Sequence, residues 1–501
     1  MKNLEHQKIL ILGLGFSGLA LARWCIRYGA RVTVADTRAA PPQLAVLQAE
    51  LPEARFVSSA LDESLLLVDS FDAVFKSPGL SPEAISGLVA AAQVRDLPVG
   101  NELALFAQAL VHLKSTDAYA PHVIAITGTN GKTTVTSLTG QLAARAGRTV
   151  AVAGNIGPSL LDTLSQKLDE RSSGAALPDV WVLELSSFQL EGVENFEPAV
   201  ATVLNITQDH LDWHQTLSAY TSAKNRIYGH TGHMLLNRND VAVMAALPAP
   251  VKGKQLRSYT TFGGDEPQRP GDYGIETVNG MAWLVRAAEA DETFRRRKGE
   301  EVVLHIQRLM PLEALRIRGR HNASNALAAL ALCTAIGCDL APMLHGLREY
   351  RGEPHRVESV AVVRDIEYFD DSKGTNVGAT VAALAGLGAE RKLVLILGGD
   401  GKGQDFAPLA VPVARYTRAV VLLGRDAPLI TIVLANSGVD LLQATSMDEA
   451  VTLAAGRARA GDAVLMSPAC ASFDMFDNYQ HRAEVFCNAV RALATEEGFT
   501  V

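Results

Sequence analysis

Val123-Ile-Ala-Ile-Thr-Gly-Thr-Asn-Gly-Lys-Thr-Thr134 decides how the chain folds and what it holds. An apolar, β-branched run leads into a turn of small residues, and a helical pattern follows through Leu138, Leu142 and Ala146. Strand, glycine turn and helix start together make a phosphate site: backbone N–H groups at the helix N-terminus face the anion, and the helix dipole favours negative charge there. Lys132 is placed to reach the β/γ-phosphates and the Thr133 hydroxyl to ligate Mg²⁺. Ile126 stands where the usual Walker A pattern has its first Gly, so the loop is a shorter variant, Gly128-x-x-Gly131-Lys132-Thr133. Thr129, Asn130 and Thr134 complete the expected phosphate contacts.

Working outward, 501 residues exceed one ordinary core and predict two to four domains. A composition 48% hydrophobic and 20% charged is that of a globular protein. The formal net charge of -8 disfavours a general nucleic-acid binder, whose footprint would be basic. The odd count of five cysteines, with no C-x-x-C pair, reads as reduced thiols in a cytoplasmic protein. Ile9–Leu14 is short and glycine-broken, a strand rather than a signal peptide or membrane span.

Upstream, Lys8–Leu12 and Gly13-Leu-Gly-Phe-Ser-Gly18 form a strand and a G-x-G-x-x-G turn, followed by Leu19, Ala22 and Ile26 at helical spacing. Arg31–Ala35 is a second strand ending in Asp36. This is a Rossmann fingerprint. Alone it suggests a nicotinamide enzyme, yet the same turn holds any diphosphate. Ser77-Pro78-Gly79 closes another strand and reads equally well as a plain turn or a ligand contact.

Downstream, Val180–Leu183 ends in Glu184, a carboxylate at a strand end that suits Mg²⁺. Thr207-Gln-Asp-His-Leu-Asp-Trp-His214 puts His210 and His214 four apart, so a zinc site is conceivable, but Leu211 stands where a helical H-E-x-x-H motif has Glu. Lys224 falls on a helix and taken alone is a surface charge. Residues ~247–312 are rich in Pro, Gly and charge, and Arg295-Arg-Arg-Lys298 reads as a solvated hairpin or loop. Asn322 and Asn325 share a helix face and suit reading a base edge, unless Asn322 is only an N-cap.

The last 150 or so residues alternate strands and helices, the sign of a second doubly wound sheet. Lys373, Lys402 and Ser472 lie in loops after its strands, where they can converge on carboxylates, although each alone reads as a solvated loop residue. Cys470 reads as a small packing residue. The expected architecture is α/β in three domains: a Rossmann-like unit over 1–102, a central P-loop ATPase with a mostly parallel sheet over 103–352, and a doubly wound Rossmann-like unit over 353–501.

Gly128–Thr134, Glu184-Leu-Ser-Ser-Phe-Gln189, His321-Asn-Ala-Ser-Asn325, His355-Arg356, Asp371-Ser-Lys373 and Leu397-Gly-Gly-Asp-Gly-Lys402 stand in the order seen in the Mur ligase family of ATP-dependent amino-acid ligases, which the chain resembles over nearly its whole length. The ending Ser467-Pro-Ala-Cys-Ala-Ser-Phe-Asp474, with Gly13–Gly18 and Asp36-Thr-Arg38, resembles the D-glutamate-adding member. That likeness implies ATP-driven addition of D-glutamate to UDP-N-acetylmuramoyl-L-alanine in the cytoplasm, by a monomer with no nucleic-acid partner.

The resemblance also implies site residues. Phe16, Ser17, Thr37, Arg38, Ser77, Pro78, Gly79 and Asn155 would hold the UDP-substrate, not NAD. Thr133, Glu184, His210 and Lys224 would serve two Mg²⁺ ions, with Lys224 carbamylated by CO₂. Asn322, Asn325, Arg356 and Asp371 would hold ATP, and Lys132, His210 and Lys224 would be catalytic. Lys373, Thr375, Lys402, Ser472, Phe473 and Tyr479 would face D-glutamate, although the family often has Leu and Phe where Phe473 and Tyr479 stand. The stretch ~286–312 looks like an insertion without an implied role. The competing expectations are a sister ligase or a folylpolyglutamate-type ligase, an NAD oxidoreductase, and a silent nucleotide-binding regulator.

Overall fold

A computed structural model describes residues 4–290, 303–389 and 391–499. Among these residues the strands form three sheets. The first contains β1 (Lys8–Leu12), β2 (Arg31–Asp36), β3 (Arg55–Ser58), β4 (Ala73–Lys76) and β5 (Val99–Gly100), all parallel, in the order β3-β2-β1-β4-β5. The order reverses beside β1, so the Gly13–Gly18 turn opens at the switch point, where an α/β sheet leaves a crevice.

The central sheet contains β6 (His122–Thr127), β7 (Val150–Gly154), β8 (Val180–Glu184), β9 (Val200–Val203), β10 (His233–Asn237), β11 (Tyr259–Phe262), β12 (Tyr273–Val278), β13 (Met281–Glu289) and β14 (Leu304–Pro311). Its order is β14-β13-β12-β11-β10-β9-β6-β8-β7, parallel from β7 to β12 and antiparallel beyond. The stretch that reads poorly in the sequence thus supplies an antiparallel sheet edge. The basic run Arg295–Lys298 lies outside the described residues.

The third sheet contains β15 (Glu358–Val363), β16 (Ile366–Asp370), β17 (Leu393–Gly398), β18 (Thr417–Leu423), β19 (Asp440–Gln443) and β20 (Ala463–Met466), in the order β15-β16-β20-β17-β18-β19. Only the edge pair β15–β16 is antiparallel. The chain is an α/β protein built on mostly parallel sheets. β8 and β17 are buried at every position because helices cover both sheet faces, which is why they read as unbroken apolar runs.

The helix Lys132–Arg145 buries Leu138 and Leu142, and the long helix Arg320–Ala335 packs against it through an Ala/Leu face. The first and central units share one core. Asn101 caps the connecting helix Glu102–Asp117 and donates from Nδ2 to the Gln189 carbonyl at 2.9 Å. Arg23–Asp162 and Arg27–Asp169 pairs flank that seam at 3.1 and 2.6 Å. The third unit meets the central one where the helix Val377–Leu387 lies on Arg320–Ala335. Among the described residues no helix is long and apolar enough to cross a membrane. Cys470 is fully buried, as a packing residue should be.

Candidate active site

β6 ends at Thr127, and the loop Gly128–Gly131 delivers the chain into the helix Lys132–Arg145. Gly131 has φ +82, and a Cβ there would stand 2.7 Å from Asn325 Oδ1, so both conformation and close approach require glycine. Asn205 braces the loop from the end of β9. Its Oδ1 accepts from Asn130 N at 2.8 Å, and its Nδ2 donates to Asn130 O at 3.0 Å.

Lys132 folds over the loop, donating from Nζ to the Gly128 and Thr129 carbonyls at 2.8 and 2.9 Å. Burial lowers its pKa, and the nearby Glu184 opposes that shift. Lys224, on the helix Leu217–Asn225, lies beneath the loop and also donates to Gly128 O, at 2.9 Å. Its Nζ sits 4.5 Å from the Tyr220 ring centroid. Burial, then the charge of Lys132, push the Lys224 amine well below its ordinary pKa.

Glu184 ends β8 and is buried. Its Oε1 accepts from Asn155 Nδ2 at 2.8 Å, while Oε2 is buried without a partner. An orphaned carboxylate oxygen close to a phosphate loop fits a cation. His210 follows β9 with φ +54 and starts the short helix Leu211–His214. Burial keeps its imidazole below the ordinary pKa, favouring the neutral form that can ligate metal. His214 pairs instead through Nε2 with Ser187 Oγ at 2.9 Å. His210 lines the cavity beside the loop, whereas His214 does not.

These groups open onto a cavity of about 620 Å³. Thr129, Asn130, Gly131, Lys132 and Thr133 line it from the loop, with Asn155, Glu184 and His210 from neighbouring strand ends. Arg356, Lys373, Thr375 and Tyr479 line it from the third unit. Arg356 Nη2 donates to Thr133 Oγ1 at 2.7 Å, and Lys373 Nζ lies 5.3 Å from the Tyr479 ring centroid.

A contiguous cavity of about 200 Å³ is lined by Asn130, Gly131, Thr134, Asn322, Asn325, Arg356 and Asp371. Asn322 is no N-cap: Gly319 holds that position, and Asn322 lies within the helix, accepting from Asn325 Nδ2 at 3.1 Å. A third cavity, about 510 Å³, gathers Phe16, Ser17, Thr37, Arg38, Ser77, Pro78 and Gly79 on the first unit. Asp36 is occupied there by Leu14 N at 2.8 Å and by Arg38 N, Nε and Nη2 at 2.8 to 2.9 Å. The Arg38 pairing holds its carboxyl at about 2. Asp36 thus presents Arg38, which suits an anion, and is not a free acceptor for a dinucleotide ribose.

Three profile matches cover most of the chain: the Mur ligase MurD-like N-terminal domain over residues 7–99, the Mur ligase middle domain over 126–333, and the Mur ligase glutamate ligase domain over 355–470. The chain belongs to the Mur ligase family. It is 64% identical to the UDP-N-acetylmuramoylalanine–D-glutamate ligase of Albidiferax ferrireducens, across 99% of this chain and 98% of that one. It is 59% identical to the ligase of the same name from Polaromonas sp., across 99% and 100%. The fold is similar to that of MurF ligase from Thermotoga maritima solved with ADP, at TM-score 0.56 and 15% identity, over 99% of this chain and 98% of that one.

Of the residues expected from the family motifs, the adenine-side, metal-side and loop residues line the two central cavities except Gly128 and Lys224, and seven of the eight UDP-side residues line the third, with Asn155 in the large cavity instead. Lys402, Ser472 and Phe473 do not line these cavities. Lys402 sits on the glycine-rich loop with φ +52, near enough to depress the His210 pKa further. Ser472 is buried, and Phe473 is 73% exposed. Asp209, from the stretch Thr207–His214, lines the large cavity as well, as do Glu353 and Asn376, which the sequence did not single out. Asp209 stands directly before His210 and Asn376 directly after Thr375, which was the available signal.

Asp371 is buried on the third-unit wall, and burial raises its carboxyl to about 7 from 3.8, against opposing help from Ser467 and Arg356. The folded chain therefore keeps a proton that the unfolded chain releases. That stabilisation is complete below pH 3.8 and lost as pH rises to about 7. Asp371→Asn should melt increasingly above the parent as pH rises towards 7, with the gap level beyond it. A gap independent of pH contradicts the assignment.

Proposed function

We propose that this chain, an ATP-dependent ligase of the Mur family, joins D-glutamate to UDP-N-acetylmuramoyl-L-alanine in cytoplasmic peptidoglycan precursor synthesis. The products are the extended UDP-muramoyl dipeptide, ADP and inorganic phosphate. One observation carries the reading: the phosphate loop, Glu184, Asn155 and the third-unit residues Lys373, Thr375 and Tyr479 border one cavity. A phosphoryl donor, an acyl donor and an incoming amine need that common space.

The division of labour follows the three units. Residues 1–102 hold the UDP moiety, with the exposed Phe16 ring offered to the base and Arg38 to the anionic part. Residues 103–352 hold ATP, with Asn322 and Asn325 at the adenine side and the loop at the phosphates. Residues 353–501 bring Lys373, Thr375 and Tyr479 to the amino acid, with Arg356 and Asp371 reaching ATP. Lys402, Ser472 and Phe473 serve the same amino acid from beyond the cavity lining. One chain lines all three cavities, which suits a monomer.

A carboxylate is a poor acyl donor because its charge repels an amine. An oxygen of the alanyl carboxylate attacks the γ-phosphorus, the bond to the β,γ-bridging oxygen breaks, and ADP leaves. Lys132 and Arg356 offset the charge gathered between the two anions. The D-glutamate amine then attacks the acyl carbon, and the tetrahedral intermediate collapses as phosphate departs and the amine loses a proton. His210 orients groups at the mouth of the loop.

Thr133, Glu184, His210 and a carbamylated Lys224 are the groups that would hold two Mg²⁺ ions, and the unpartnered Glu184 oxygen fits that role. When bound, Mg²⁺ supplies charge neutralisation at the phosphoryl oxygens. Lys224 suits carbamylation because burial favours its neutral, nucleophilic amine. The amine adds to CO₂ and loses a proton, giving a carboxylate-like group beside Lys132.

Offered UDP-N-acetylmuramoyl-L-alanine and a panel of amino acids, the enzyme should release ADP with D-glutamate. ADP release with a different amino acid, or only with a folate acceptor, contradicts the reading. Lys132→Ala should lower turnover by about 10²–10³-fold while leaving UDP-substrate affinity unchanged; loss of that affinity in a folded variant overturns the division of labour. Lys224→Ala should be weakly active and partly restored by formate, whereas no restoration argues against a carbamate.

A further inference from the structure

We propose that Asn376 is a positioning residue that registers the third unit against the phosphate loop, assembling the amino-acid side of the site on the ATP side. The inference rests on the functional reading above.

Asn376 is buried at the start of the helix Val377–Leu387, directly after Thr375. Its Oδ1 accepts from Ala379 N at 2.9 Å, capping that helix, and from Asn130 Nδ2 at 3.3 Å. Its Nδ2 donates to Asn130 Oδ1 at 3.1 Å and to Asp209 Oδ2 at 3.3 Å. Two acceptor directions and two donor hydrogens are all a primary amide has, and all are used. The cap demands oxygen on one side and the Asp209 carboxylate demands nitrogen on the other, so the amide has one orientation.

Each partner belongs to a different part of the chemistry. Asn130 is in the phosphate loop, held at its own backbone by Asn205. Asp209 lies beside His210, with 3.6 Å between its Oδ2 and the His210 Nε2. The approach is close: a Cβ on Gly378 would stand 2.7 Å from Thr207 Oγ1 and 3.3 Å from Asn130 Nδ2. The glycine lets the start of this helix press onto the loop. Asn376 therefore acts through the loop and Asp209, and moving it moves Lys373 and Thr375 relative to Lys132.

Asn376→Ser and Asn376→Asp test this in the full-length protein. Both replacements cap helices as Asn does. Serine is too short to reach Asn130 and Asp209, and aspartate sets like charges against Asp209. ADP release with UDP-N-acetylmuramoyl-L-alanine and D-glutamate, ATP affinity, melting temperature and X-ray scattering with an ATP analogue plus UDP-substrate are the readouts. Both variants should stay fully folded at the assay temperature and bind ATP as well as the parent does. Their kcat should fall about 10–10²-fold, with less compaction in scattering than the parent shows. Unchanged kcat overturns the proposal. So does a loss of ATP affinity in proportion to kcat, which makes Asn376 a nucleotide contact, or unfolding at the assay temperature that accounts for the loss, which makes it a purely structural contact. A parent that fails to release ADP with D-glutamate defeats the functional reading instead, and is seen separately.

Discussion

Lys132 and Lys224 donate to the same carbonyl oxygen, that of Gly128, at 2.8 and 2.9 Å. Two ammonium groups on one buried acceptor repel each other, and neither is fully solvated. Burial first, and the Lys132 charge second, drive the Lys224 amine towards the neutral form. Glu184 and Asp209 supply the opposing charge, and Glu184 still has one oxygen unpaired. The loop mouth is thus a place where anions are welcome and a neutral amine is available. Phosphates, a substrate carboxylate and a carbamate each relieve the same imbalance.

The third unit adds to that field. Arg356 and Lys373 enter the cavity that Lys132 borders, and burial followed by Arg356 lowers the Lys373 pKa. All three substrates are anionic, and Lys132, Arg356 and Lys373 supply the cations that offset their mutual repulsion in a cavity that Glu184, Asp209 and Glu353 also line. That field is complete only when the third unit is docked. Arg356 on Thr133 and Asn376 on Asn130 are the contacts that bring it there. The same contacts that join the third unit to the loop therefore also set Arg356 and Lys373 beside Lys132.

Much of this was legible in the sequence because it is local. A β-branched run, a glycine turn and a helical stripe are set by neighbours in the chain, so the loop at Gly128, the Rossmann-like turn at Gly13 and Glu184 at its strand end were readable. Seven of the eight residues expected on the UDP side fall together because they follow the carboxyl ends of β1, β2 and β4 at one switch point, whereas Asn155 lines the large cavity. What escaped depends on distant partners. Asp36 looks like a ribose acceptor until Arg38 is seen to occupy it. Asn376 has no periodicity to mark it, and its meaning comes from Asn130 in another unit. His210 and His214 have zinc spacing, but His214 is engaged by Ser187, a partner 27 residues away that spacing cannot show. The β13–β14 edge was hidden because an antiparallel edge with one exposed face carries many polar residues.

If the alanyl carboxylate is phosphorylated in the large cavity, one of its oxygens must leave with the phosphate. UDP-N-acetylmuramoyl-L-alanine labelled with ¹⁸O in that carboxylate, turned over with ATP and D-glutamate, tests this directly by mass spectrometry of the products. One labelled oxygen should appear in inorganic phosphate for each amide bond formed, with ADP unlabelled. Unlabelled phosphate, or label carried into AMP, would contradict phosphoryl activation at this loop.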